Sequence, residues 1–170
     1  ILADYRVKSR NNTQAIYCLK DAKSAIRWVR TNARKIGIDP NRIVASGGSA
    51  GGHLAAATGT IQIHDEEGEN LKISSVPNAM ILFNPGLILA PIKEFDISNS
   101  WPANRTSNLK DRIGVEPKSF SPYHFVNENT PPTIIFHGTK DKTIPHESVE
   151  FFDLRMKKFN NKSNVYLYDG

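Results

Sequence analysis

The stretch RIVASGGSAGGHLAAA, residues 42 to 57, leaves a chain few ways to fold. Four glycines around one serine suit neither a helix nor a strand, because glycine loses the most backbone freedom when it is ordered. The apolar run before them predicts a short buried strand, and the alanine-rich run after them predicts a helix from about Ala50 to Thr58. Ser49 then falls on the sharp corner between the two. A serine held on such a corner takes a strained backbone conformation and projects its hydroxyl above the sheet. Side chains at Gly47 and Gly51 are expected to collide with the crossing chain. Rival glycine-loop readings fail on spacing, since no G-x-G-x-x-G is present and no lysine follows as in a phosphate-binding loop.

The rest of the sequence alternates in the same way. Ala15, Ile16, Leu19, Ala22, Ile26, Val29 and Ala33 recur at three- and four-residue steps and predict an amphipathic helix over residues 14 to 35, closed by Gly37 and a DPNR turn. Apolar runs at 79–84 and 133–138, and the segments ILADYRV and NVYLYD near the two ends, read as strands. Val149, Phe152, Met156 and Phe159 share one side of a helix expected at 146–160. Short apolar strands alternating with helices imply a mostly parallel sheet with helices on both faces, in one domain over residues 1–170. Residues 85–131 break the rhythm with Pro85, Pro91, Pro102, Pro117, Pro122 and Pro131 and with Trp101, and read as a lid or a long surface connection.

Charge and composition exclude several classes. The net charge of +5 is concentrated on the first helix, opposite its apolar side, and reads as a solvated face rather than a nucleic-acid surface. The acidic run DEEGE follows at 65–69. No apolar run approaches the roughly 18 residues of a membrane span. The one cysteine, Cys18, excludes an internal disulfide framework, leaves the redox compartment open and reads as a small buried apolar residue.

A serine hydroxyl is a weak nucleophile and needs a base, usually a histidine, which in turn needs an acid to fix its tautomer. Asp141 in IIFHGTKDKTIP is the candidate acid, because it follows a strand that ends at His137 and Gly138, on the edge of the sheet where Ser49 is expected. A turn aspartate is the plainer alternative. The amide of Ala50, with Gly48 beside the serine, is the candidate oxyanion and substrate-contacting backbone, since a helix N-terminus favours negative charge there. Of the histidines, His53 reads as packing under the corner and His137 as a structural hydrogen bonder. His146 reads as a helix start, His124 as a neighbour of the excursion and His64 as exposed.

DYR, DAKSAIRWVRTNA, DPNRI, GGSAGGHLAA and PPTIIFHGTKDKTIP together resemble the α/β-hydrolase esterases of the hormone-sensitive-lipase-like and acetyl-esterase kind. The resemblance implies an α/β-hydrolase fold with Ser49 as nucleophile, Asp141 as triad acid and Ala50 as an oxyanion donor. It implies hydrolysis of a small or medium carboxylic ester, an acetylated sugar among the candidates, with no metal or cofactor. Two family features are not found between Ile1 and Gly170, the HGGG-type oxyanion loop and the triad histidine. They are expected before Ile1 and after Gly170, so the fold is expected to be incomplete, short of early strands and a C-terminal helix. The 170 residues by themselves are expected to hydrolyse negligibly. A prolyl-oligopeptidase-like peptidase and a non-catalytic hydrolase-fold binding protein or inert fragment are the alternatives.

Overall fold

The computed structural model describes residues 1–97 and 106–170. Four strands, β1 (Val44–Gly48), β2 (Ala79–Phe83), β3 (Thr133–Gly138) and β4 (Ser163–Tyr168), form one parallel sheet in chain order. The register sets Gly47, Leu82, Ile135 and Val165 side by side, so one set of alternating positions faces one way across all four strands.

The longer helices are α2 (Ala15–Thr31), α4 (Ala50–Thr60) and α7 (Glu147–Lys158). Shorter ones are α1 (Lys8–Asn11), α3 (Ala33–Ile36), α5 (Leu109–Ile113) and α6 (Pro122–Phe125). Helix α4 is buried on nearly all sides from Gly52 to Thr60, because β1 and β2 lie on one flank and α2 on the other. That explains its composition: small residues let the three layers approach, and the hydroxyls of its two threonines donate back to the Ala55 and Ala56 carbonyls, which lets them be buried. Val149, Phe152 and Met156 of α7 are completely buried against Met80, Leu82 and Ile135.

The expected cover of both sheet faces is met on one. The core residues just named all belong to a single face. On the other, Phe83, Ile134, Tyr166 and Tyr168 remain exposed. Phe83 stacks on Phe136 at 5.3 Å between ring centroids, and Phe136 on Tyr166 at 5.4 Å, so aromatic neighbours shield one another where no described helix lies over them.

Several local expectations need correction. ILADYRV is not a strand. The amides of Tyr5, Arg6 and Val7 go to the side chains of Asp4, Asp21 and Asn11 instead of to a sheet neighbour. The expected 14–35 helix breaks at Asn32 into α2 and α3, and α3 ends at Gly37 with φ 73°. Nor are all the lysines and arginines of α2 solvated. Lys23 and Arg27 are buried and share Asp65, at 2.9 and 2.5 Å, so the acidic run at 65–69 is the counter-charge of the basic helix. Arg6 joins this cluster by binding both Asp21 and Glu66.

Residues 85–97 and 106–131 are irregular but not loosely attached. Leu87, Ile88, Phe95, Ile97, Ile113, Phe120 and Val126 are buried in the core. Trp101 and Pro102 lie outside the described residues.

Candidate active site

Ser49 sits between the end of β1 and the first residue of α4 with φ 51° and ψ −116°, a conformation that side chains other than hydrogen rarely adopt. Two backbone bonds hold it there. Its N–H donates to the Phe83 carbonyl at 2.8 Å, and its own carbonyl accepts from the His53 N–H at 2.9 Å. The residue is exposed, and no hydrogen bond to its hydroxyl is found among the described residues.

The glycines around it divide by role. A Cβ on Gly47 would lie 2.5 Å from the Gly51 carbonyl carbon, and one on Gly52 would lie 2.9 Å from the Gly47 carbonyl oxygen. Gly51 itself has open space where its Cβ would be, so the expected collision belongs to Gly47 and Gly52 and not to Gly51. Gly51 contributes backbone to the crossing, which sequence spacing does not separate from side-chain exclusion. Gly48 ends β1, pairs with Phe83 and has only ordinary contacts there.

Ser49 and Ala50 open onto a cleft of about 190 Å³, lined also by Tyr5, Cys18, Leu89, Phe120 and Ile144. Ala50 is the first residue of α4, where the leading N–H groups of a helix have no intrahelical partner. His53 forms another part of the wall. It is buried, its Nδ1 lies 2.7 Å from the Gly86 carbonyl, and its ring packs on Phe120 at 4.6 Å. Burial outweighs the Gly86 bond and pushes the imidazole down to about 4, so it is neutral at neutral pH. Cys18 is half-buried and not fully buried as expected, because its Sγ turns to the Arg6 carbonyl at 3.0 Å.

The loop of Asp141 reaches the same cleft through Thr143 and Ile144. Asp141 Oδ1 accepts the N–H groups of Thr143 at 2.7 Å and Ile144 at 3.0 Å. Oδ2 accepts from Asn84 Nδ2 at 2.8 Å. Burial raises the carboxyl, but the bonds from Thr143, Asn84 and Ile144 and the nearby His137 outweigh it, holding Asp141 below the usual carboxylate range. His137 is buried, with Nε2 2.9 Å from the Ile144 carbonyl and 3.7 Å from Asp141 Oδ2. The remaining histidines lie elsewhere. His146 precedes α7 beside Glu147 and Glu150, and His124 bonds the Ser121 hydroxyl at 2.9 Å. His64 is half-buried, contrary to expectation, with Nε2 3.2 Å from the Ser119 carbonyl.

The sequence reading passed over Asn84 and Tyr5. Asn84 carried a signal, as the single polar residue at the carboxyl end of the apolar run AMILFN, on the edge where a parallel sheet places its chemistry. Tyr5 lies in the DYR segment that carries part of the resemblance, but reading that segment as a strand gave it no place at the site.

The BD-FAE family pattern matches residues 1–156. The chain belongs to the BD-FAE family. Among its relatives, a probable isoprenylcysteine alpha-carbonyl methylesterase of Arabidopsis thaliana is 35% identical over 164 residues, covering 89% of this chain and 34% of that protein. Esterase LipC of Mycobacterium tuberculosis is 28% identical over 179 residues, covering 96% of this chain and 41% of that one. Thermogutta terrifontis esterase 2, in its apo form, superposes with a TM-score of 0.89 at 47% identity and covers 98% of this chain and 59% of that chain. It has also been solved phosphonylated by sarin, propionate bound and butyrate bound. This BD-FAE chain therefore has the α/β-hydrolase fold and spans well under half the length of those curated relatives.

Proposed function

We propose that the protein is a serine carboxylic-ester hydrolase that forms an acyl-enzyme on Ser49. The observation that carries this reading is the placement of Ser49 on a strained corner at the mouth of a cleft whose other wall is the loop of Asp141. Such a corner presents the hydroxyl without burying it. An imidazole base oriented by Asp141 takes the Ser49 proton as Oγ attacks the ester carbonyl. The N–H of Ala50 binds the resulting oxyanion at the start of α4, with Gly48 leaving the strand end beside it open. The alcohol departs with that proton, and water then releases the acid.

Several features favour a small or medium acyl group. The cleft holds about 190 Å³ and is walled by Leu54, Leu89, Phe120 and Ile144. The Thermogutta esterase has been solved with propionate and with butyrate. The relatives named above are methylesterase and esterase by name, which favours ester over peptide hydrolysis. Leu89 and Phe120 come from the 85–131 excursion, and we assign that excursion the role of a lid over the site of a single domain.

Labelling with a fluorophosphonate tests the reading. The adduct is expected on Ser49, with p-nitrophenyl butyrate turnover lost in Ser49→Ala. Turnover undiminished by that substitution, or labelling elsewhere, overturns it.

A further inference from the structure

We propose that Asn84 is a positioning residue for Asp141, fixing which lone pair of the carboxylate is left to orient the base. The inference rests on the serine-hydrolase reading above and concerns a residue from a strand other than the acid's own.

The argument is one of donors and acceptors. A carboxylate offers about four acceptor directions, two on each oxygen. On Asp141, Oδ1 spends both on the N–H groups of Thr143 and Ile144, which belong to the same loop. Oδ2 spends one on Asn84 Nδ2 at 2.8 Å, leaving one direction open. His137 Nε2 is 3.7 Å from Oδ2 and is committed to the Ile144 carbonyl at 2.9 Å. The two amides of the acid's own loop hold Oδ1 and with it the carboxylate plane, and Asn84, by occupying one of the two Oδ2 directions and bracing that oxygen, decides which lone pair is left for the base.

Asn84 is itself held firmly. It follows Phe83 at the end of β2 with φ 45°, a left-handed conformation that asparagine tolerates better than other side chains. Its N–H donates to the Phe136 carbonyl at 2.9 Å, which ties it to β3, the strand leading to Asp141. An amide suits the task because it donates without charge. A lysine in its place would compete with the imidazolium for the acid, and a second carboxylate would repel it.

Two variants test this without disturbing the backbone. Asn84→Gly accepts the left-handed conformation and removes the donor. Asn84→Asp keeps the shape and replaces the donor by a charge. The titratable group facing Asp141 is His137, while Lys140 of the same loop pairs with Asp169 at 2.8 Å. For the full protein on p-nitrophenyl butyrate, Asn84→Gly is expected to lower kcat roughly ten- to a hundred-fold with little change in KM, at an unfolding temperature close to the parent's. The rate of fluorophosphonate labelling of Ser49 should fall in parallel. Asn84→Asp should move the acid limb of kcat/KM to higher pH, because added negative charge favours the protonated base.

Ser49 labelled at the parental rate in Asn84→Gly, or an acid limb unmoved in Asn84→Asp, overturns the inference while leaving the hydrolase reading intact. An unmutated protein without Ser49-dependent labelling overturns both.

Discussion

The carbon that a side chain at Gly47 would add lies 2.5 Å from the carbonyl carbon of Gly51. Backbone meets backbone at that point, so neither side can yield by changing rotamer, and the strand-to-helix corner can be built only with glycine there. Gly51, the other half of the contact, has empty space at its own Cβ position. Gly47→Ala should therefore destabilise by about 3 kcal/mol or more, through the overpacking that a rigid core cannot absorb. Gly51→Ala should be neutral or stabilise by up to about 1 kcal/mol, since alanine is the better helix former. Urea unfolding of the two variants side by side measures the contrast.

On the proposed hydrolase reading, Ser49 occupies its positive φ for function and not for stability. Such a conformation costs on the order of 1–3 kcal/mol for a residue with a side chain, and glycine adopts it freely. Ser49→Gly is expected to unfold at a higher temperature than the parent while losing all labelling and turnover. A variant that unfolds at a lower temperature would show that the corner stores no strain.

Asp65 holds two cations that have little contact with water. Lys23 is 1% exposed and Arg27 6%, and both reach Asp65 Oδ1. Removing the shared anion leaves buried charge uncompensated, so Asp65→Asn should destabilise by about 3 kcal/mol, whereas Lys23→Met should cost less. Burial raises the Asp65 carboxyl, but its bonds to Lys23 and Arg27 hold it below the usual range. Its contribution is therefore present above that range and is lost as pH falls through the folded value. Chemical denaturation from pH 5 to pH 2, with and without Asp65→Asn, reads this out.

His53 governs a higher pH window. Its folded value of about 4 lies below the ordinary 6.5, so the unfolded chain takes up the proton first as pH falls. Stability is full above about 6.5 and declines toward pH 4, by about 3 kcal/mol in total. His64 and His124, both lowered by burial, act in the same direction. His53→Gln should flatten the slope between pH 6.5 and 4.5, and a slope unchanged in that variant would refute the assignment.

The sheet's open face makes a further prediction. Phe83, Tyr166 and Tyr168 are each about half exposed, alongside Phe136. A contiguous aromatic surface of this kind promotes self-association. The 170-residue chain should scatter light at concentrations where the double variant Phe136→Lys, Tyr166→Lys does not.

Much of the molecule was legible in the sequence because the deciding interactions are short-range. The apolar runs of β2 and β3, the helical periodicity of α2 and α7, and the glycines around Ser49 each express a local constraint of backbone sterics or periodic burial. Local pattern also placed Ser49 and Asp141 on one edge, since parallel strands bring their carboxyl ends together. Tertiary structure decided what depends on partners distant in the chain. It turned ILADYRV from a strand into a segment held by Asp21 and Glu66, and it buried Lys23 and Arg27 by setting Asp65 against them. It also brought Asn84 from one strand end to the carboxylate of another, 57 residues away. A lysine in a helical pattern looks the same whether its counter-charge is near or absent, and only the folded chain supplies that distance.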